Sequence, residues 1–204
     1  MVSAPRIHLA TQSPRRRELL ARLGLDFDVL PIDVDETPLE GEAPELLVVR
    51  TALDKARAGV RSLGGDGFRA VLGADTAVVI DEHILGKPRD RRDALSMLDR
   101  LSGRTHLVLT GVAIATPRGE ASRLSVSHVG FRRITPAEAS AYWDTGEPCD
   151  KAGAYAIQGL GAVFAERLEG SYSGVMGLPL FETAELLTAA GVEVLPGRPA
   201  PVQG

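Results

Sequence analysis

Short apolar runs alternate with amphipathic stretches along this chain, the pattern of strands interleaved with helices. Residues 6–10 (Arg6-Ile-His-Leu-Ala10) predict a short buried strand. Ser13-Pro14 predicts a helix start, with Ser as N-cap and Pro at the first helical position. Leu19, Leu20 and Leu23 give that helix an apolar face, and Gly24 closes it. Residues 27–32 predict a second strand. Pro44 opens a longer helix that carries Leu47, Val48, Thr51, Ala52 and Lys55 at helical spacing, and the glycine-rich stretch 64–67 is a loop. Residues 70–80 form a long apolar strand interrupted at its middle by Asp75-Thr76, and Asp81-Glu82 turns the chain.

Residues 90–101 predict an amphipathic helix with Ala94, Met97, Leu98 and Leu101 inward. Residues 105–115 and 121–133, rich in Val, Leu, Ile, Thr and Ser, predict a long hairpin about Pro117-Arg-Gly119. Thr135-Pro136-Ala-Glu138 has the form of a capping box, opening a helix with Tyr142 and Trp143. Gly153 to Gly161 reads as loop, Pro179 starts the last helix, and residues 192–195 are expected as a final strand. The Pro- and Gly-rich residues 196–204 have nothing to bury and are expected as a mobile tail. The whole predicts an α/β fold with a mixed sheet, residues 1–195 acting as one domain.

The length of 204 residues suffices for a full core, and 44% hydrophobic with 25% charged residues is ordinary for a globular protein. A net charge of −4 argues against broad nucleic-acid or membrane-surface binding, and no run of apolar residues is long enough to span a bilayer. The single cysteine, Cys149, excludes an internal disulfide framework, fits a reducing cytoplasm, and is expected as a small core residue. The four histidines lack metal-ligand spacing and are expected to be structural.

Only three lysines occur against twenty arginines, together the 23 basic residues, and all three lie in segments suited to phosphate chemistry. Lys offers a compact ammonium where Arg offers a planar fork, so a retained Lys marks a position that Arg's shape does not suit. Pro88 stiffens the backbone at Lys87, whereas Lys55 sits on a helix with freer geometry. Lys87 is therefore expected to tolerate Arg least, and Lys151 sits in an adaptable loop.

Four segments carry candidate chemistry. Thr11-Gln-Ser13-Pro-Arg15-Arg16 stands at a strand-to-helix junction, where free backbone N–H groups, two hydroxyls and two guanidinium forks suit a phosphate. Asp75, in Gly73-Ala-Asp75-Thr76, is a carboxylate inside an apolar strand, costly unless paired, hydrated or metal-bound. Its small neighbours are expected to leave room for a ligand. Asp33-Val-Asp35-Glu36-Thr37 can add a second carboxylate for a hard cation, or be an ordinary acidic loop. Asp150-Lys151-Ala-Gly153-Ala-Tyr-Ala-Ile-Gln158-Gly159 carries Gln158, whose amide has the donor and acceptor needed to read a base edge, or is a Gly-rich surface turn. No P-loop and no GxSxG elbow is present.

Together these segments resemble the Maf family of nucleoside triphosphate pyrophosphatases. The likeness runs from about Ile7 to about Val194, and also takes in Gly86-Lys-Pro88, Leu101-Ser-Gly-Arg-Thr-His106, Gly170-Ser-Tyr172 and Val175-Met-Gly-Leu-Pro179. It implies a bent mixed sheet with flanking helices and two lobes around a cleft, similar to inosine triphosphatases. It also implies Mg²⁺- or Mn²⁺-dependent cleavage between the α and β phosphates. Asp75 is then the base and, with Glu36, the metal holder. Thr11, Ser13, Arg15, Arg16, Lys55 and Lys87 line the phosphates, and Lys151 matches the Lys of the late motif. Pro14-Arg15-Arg16, Ala74-Asp75-Thr76 and Ile157-Gln158-Gly159 resemble the dTTP/UTP branch, which places specificity at Arg16, Thr76 and Gln158. The other branch resembles 7-methyl-GTP pyrophosphatases. House-cleaning of modified pyrimidine nucleotides is the implied purpose. A nucleotide-binding regulator of septum formation is the alternative, and a homodimer is left open.

Overall fold

The computed structural model describes residues 6–64 and 68–195. In chain order these form β1 (Arg6–Ala10), α1 (Pro14–Ala21), β2 (Phe27–Leu30), α2 (Pro44–Ser62), β3 (Phe68–Ile80), β4 (His83–Leu85), α3 (Arg91–Leu101), β5 (Thr105–Thr116), β6 (Gly119–Phe131), α4 (Pro136–Asp144), β7 (Ala165–Glu169), α5 (Tyr172–Val175) and α6 (Leu180–Ala189). The strands make one mixed sheet in the order β2-β1-β3-β5-β6-β7, with β4 paired to β3. β1 runs parallel to both β2 and β3, whereas β3–β4 and β6–β7 are antiparallel. This is an α/β fold with helices flanking a seven-stranded sheet. No helix of the described residues is long and apolar enough to cross a membrane. The tail at 196–204 and most of the 64–67 loop lie outside the described residues.

The chain divides into two compact units. One comprises the chain up to Asp75, Thr110–Ser125 and the chain from Gly177 onward, and the other comprises Thr76–Leu109 and Val126–Met176. In the first, Leu9, Leu19, Leu20, Val48, Leu72, Leu186 and Leu187 are fully buried. In the second, Leu98, Leu101, Leu109 and Phe131 are. Phe131 stands edge-on to His106 and Tyr155, with ring centroids 4.9 and 4.8 Å away.

Capping chemistry fixes several boundaries. Thr135 and Glu138 form the reciprocal capping box of α4, and Asp90 accepts the Asp93 N–H to start α3. Asp81 and Glu82 both take positive φ, the twist a two-residue hairpin turn requires.

Two expectations fail, and one strand is an addition. Residues 192–195 are not a strand. Gly191 (φ 77°) donates to the Thr188 carbonyl and Val192 to the Leu187 carbonyl, so the chain closes α6 with a Schellman cap that uses the apolar Val192. β2 stops at Leu30 because Pro31 has no N–H to continue the ladder. β7 was not foreseen, since Ala-Glu-Arg-Leu-Glu lacks a clean alternation of apolar residues. It is an edge strand, where polar residues are tolerated.

Candidate active site

The β1–α1 junction lies in the first unit. Thr11 is buried, and its Oγ1 accepts the Ser13 N–H at 3.1 Å, which sets the turn into the helix. Ser13 is the N-cap with extended backbone, but its side chain caps nothing. Helix N-termini carry the positive end of the backbone dipole, which attracts anions. Arg15 and Arg16 follow, both half-buried. Arg16 Nε donates to the Gly177 carbonyl at 2.8 Å, fixing the guanidinium in place. Desolvation lowers the Arg16 pKa, while the carboxylates of Asp75 and Glu36 oppose the shift.

Helix α2 brings Lys55 to Asp75. Lys55 is buried, and its Nζ lies 2.8 Å from Asp75 Oδ1, 2.5 Å from Glu36 Oε1 and 3.4 Å from the Ala74 carbonyl. Two glycines make the approach possible. A Cβ on Gly73 would stand 2.2 Å from the Ala52 carbonyl oxygen, and one on Gly111 would stand 2.3 Å from that of Val48. The room beside Asp75 at Gly73 is thus filled by the α2 backbone rather than left for a ligand, which corrects the sequence expectation.

Glu36 sits on an irregular segment held by Arg50. Arg50 Nε and Nη2 donate to Glu42 at 2.7 and 2.8 Å, and Nη2 also reaches the Thr37 carbonyl at 3.1 Å. Asp35 accepts the Thr37 N–H at 2.9 Å in a local turn. Arg50 and Glu42 were missed at the sequence level. No motif marks them, because their role is to pin the loop that presents Glu36.

The remaining candidates belong to the second unit. Thr76 is half-buried on β3. Lys87 is exposed and bonds to no described residue, and Gly153 N–H donates to the Gly86 carbonyl at 3.1 Å, tying the Lys87 segment to that of Lys151. Lys151 Nζ pairs with Asp150 and donates to the Glu147 carbonyl at 3.3 Å. Gln158 is exposed on a turn. Cys149 is exposed, not in the core, because Pro148 is the buried residue of its short 3-10 turn.

Among the described residues no three His, Cys, Asp or Glu side chains converge as a ready-made cation cage. A magnesium ion shared with substrate phosphates needs only one or two carboxylates. Asp75 and Glu36, which meet on the Lys55 ammonium, fit that requirement as hard oxygen donors.

Residues 6–190 match the Maf-like protein family. The chain belongs to the Maf family. This Maf chain is 61% identical over 186 residues to a dTTP/UTP pyrophosphatase of Alkalilimnicola ehrlichii, covering 90% of this chain and 92% of that protein. It is 55% identical over 190 residues to a protein of the same name from Saccharophagus degradans, covering 92% and 90%. It is 50% identical over 183 residues to another from Aliivibrio fischeri, covering 89% and 96%.

Proposed function

We propose that this Maf chain hydrolyses dTTP and UTP to the nucleoside monophosphate and pyrophosphate. The observation that carries the reading is the convergence of Asp75 and Glu36 on the buried Lys55 ammonium, in a chain whose relatives bear that activity in their names. In this reading Thr11, Ser13, Arg15 and Arg16, at the start of α1, neutralise and orient the triphosphate, and Lys87 is carried over as a phosphate ligand by likeness to the family motif. Asp75 takes the proton of the attacking water as its oxygen bonds to the α-phosphorus. The bond to the bridging oxygen breaks, and pyrophosphate leaves. Such a transfer needs positioning and electrostatics, with no covalent nucleophile.

Glu36 and Asp75 would hold a Mg²⁺ or Mn²⁺ ion, which would supply positive charge against the phosphate oxygens. Lys55 fixes the orientation of both carboxylates. Gln158 pairs with the N3–H and O4 edge that uracil and thymine share, while Arg16 and Thr76 add to specificity. Product analysis after turnover of dTTP tests the reading. dTMP with pyrophosphate supports it, and dTDP with orthophosphate overturns the position of cleavage.

A further inference from the structure

Residues 155–159, which carry Gln158, belong to no helix or strand. Two side chains hold their flanks instead. Tyr142 Oη, from α4, accepts the Ala156 N–H at 3.0 Å and donates to Glu147 Oε1 at 2.6 Å. Glu147 Oε1 also accepts the Gly161 N–H at 3.0 Å, and Oε2 accepts the Leu160 N–H at 3.0 Å. The Tyr142 ring is buried, edge-on to Phe164 with centroids 5.2 Å apart.

One carboxylate and one phenol thus grip the main chain before and after Gln158. The grip is close: a Cβ on Gly159 would lie 2.2 Å from Glu147 Oε2, so a side chain there would push the carboxylate away from the main chain it holds. The Glu147 main-chain carbonyl also receives Lys151 Nζ. The Lys151 and Gln158 ends of the late motif therefore meet on one residue. Burial pushes the Glu147 carboxyl up, but the hydrogen bonds from Tyr142, Gly161 and Leu160 outweigh it and hold the group below its ordinary range.

We propose that Tyr142 and Glu147 are positioning residues for base selection, a clamp that fixes where the backbone presents the Gln158 amide. The inference rests on the reading that Gln158 contacts the base. A binding amide must be held to within about 0.5 Å by residues whose own positions are locked, and Tyr142 and Glu147 are locked by each other and by Phe164. Neither touches substrate. Their effect reaches catalysis only through the placement of Gln158.

Glu147→Gln keeps size but turns one carboxylate oxygen into a donor, so one of the three N–H or O–H groups it now receives loses its acceptor. Tyr142→Phe removes a single oxygen and leaves the Ala156 N–H unpaired. The test measures kcat and KM for dTTP and dCTP, whose base has the same ring and the reverse hydrogen-bonding edge. It uses the wild type, Gln158→Ala, Glu147→Gln, Tyr142→Phe and the Glu147→Gln/Gln158→Ala double variant, each assayed below its melting temperature.

The expected result is a drop of about tenfold or more in the dTTP-to-dCTP ratio of kcat/KM for Gln158→Ala and for both clamp variants. The loss falls mainly in KM, and the double variant discriminates no worse than Gln158→Ala. A collapsed ratio in Gln158→Ala beside wild-type ratios in both clamp variants overturns the clamp and leaves the base-reading role standing. Equal losses on dTTP and dCTP in the clamp variants make Glu147 and Tyr142 merely structural and also overturn it. An unchanged ratio in Gln158→Ala removes the base-reading role itself, and the clamp with it.

Discussion

Lys55 and Asp75 form a buried ion pair, Nζ to Oδ1 2.8 Å, in which the ammonium of a helix meets the one carboxylate placed in the middle of an apolar strand. The pair explains how that strand tolerates Asp75, since a buried carboxylate is costly without a partner. It also makes Lys55 part of the geometry of Asp75, so the two residues cannot be altered independently.

Asp75→Asn keeps an acceptor for Lys55 at nearly constant volume, so the fold survives. The amide cannot take a proton from water at neutral pH. Turnover of dTTP is expected to fall about 10²–10⁴-fold, the usual size of a lost general base. Steady-state kinetics beside a melting curve checks this, and activity within a few-fold of wild type would remove Asp75 from the chemistry.

The lysines are ranked anew by their surroundings. Lys55 is enclosed by Glu36, Asp75 and the Ala74 carbonyl, whereas Lys87 is exposed beside a buried Pro88. Lys55→Arg is expected to lose at least about tenfold in kcat/KM because a planar fork cannot take the place of a compact ammonium there. Lys87→Arg keeps activity to within a few-fold, the reverse of the order that Pro88 alone suggested. Lys55→Met leaves Asp75 without its cation and is expected to cost about 3–5 kcal/mol, read as a lower denaturation midpoint.

Much of this arrangement was legible in the sequence, and what was not has physical causes. Asp75 stood out because a charge inside Val-Leu-Gly-Ala-Asp-Thr-Ala-Val breaks an otherwise apolar strand, and Ser13-Pro14 marked the α1 start through capping rules. The Lys55–Asp75 contact did not show, because it depends on how closely α2 approaches β3 at Gly73, a tertiary fact. Arg50 and Glu147 look like any surface charge in sequence. Only the fold reveals that one pins the Glu36 loop and the other grips the Gln158 turn. Val192 misled because an apolar residue after a glycine serves a helix cap as readily as a strand.

His106 links stability to pH. It is buried, its Nε2 lies 2.9 Å from the Tyr155 hydroxyl, and burial lowers its pKa from the usual 6.5 to about 4. As pH falls below about 6.5 the unfolded chain takes up a proton that the native state refuses, so stability declines until about pH 4. The loss amounts to roughly 3 kcal/mol at about 1.4 kcal/mol per pH unit. Urea denaturation at several pH values in this window, compared with His106→Phe, isolates the effect. The wild type is expected to lose more stability on acidification than the variant, and parallel curves would show that His106 does not titrate this way.

The most direct test of the central claim is pyrophosphate release measured as kcat/KM over a panel of dTTP, UTP, dCTP, GTP and 7-methyl-GTP with Mg²⁺. The account predicts turnover of dTTP and UTP well above the rest, lost in Asp75→Asn. A clear preference for 7-methyl-GTP, or binding of dTTP and UTP without turnover, would contradict it.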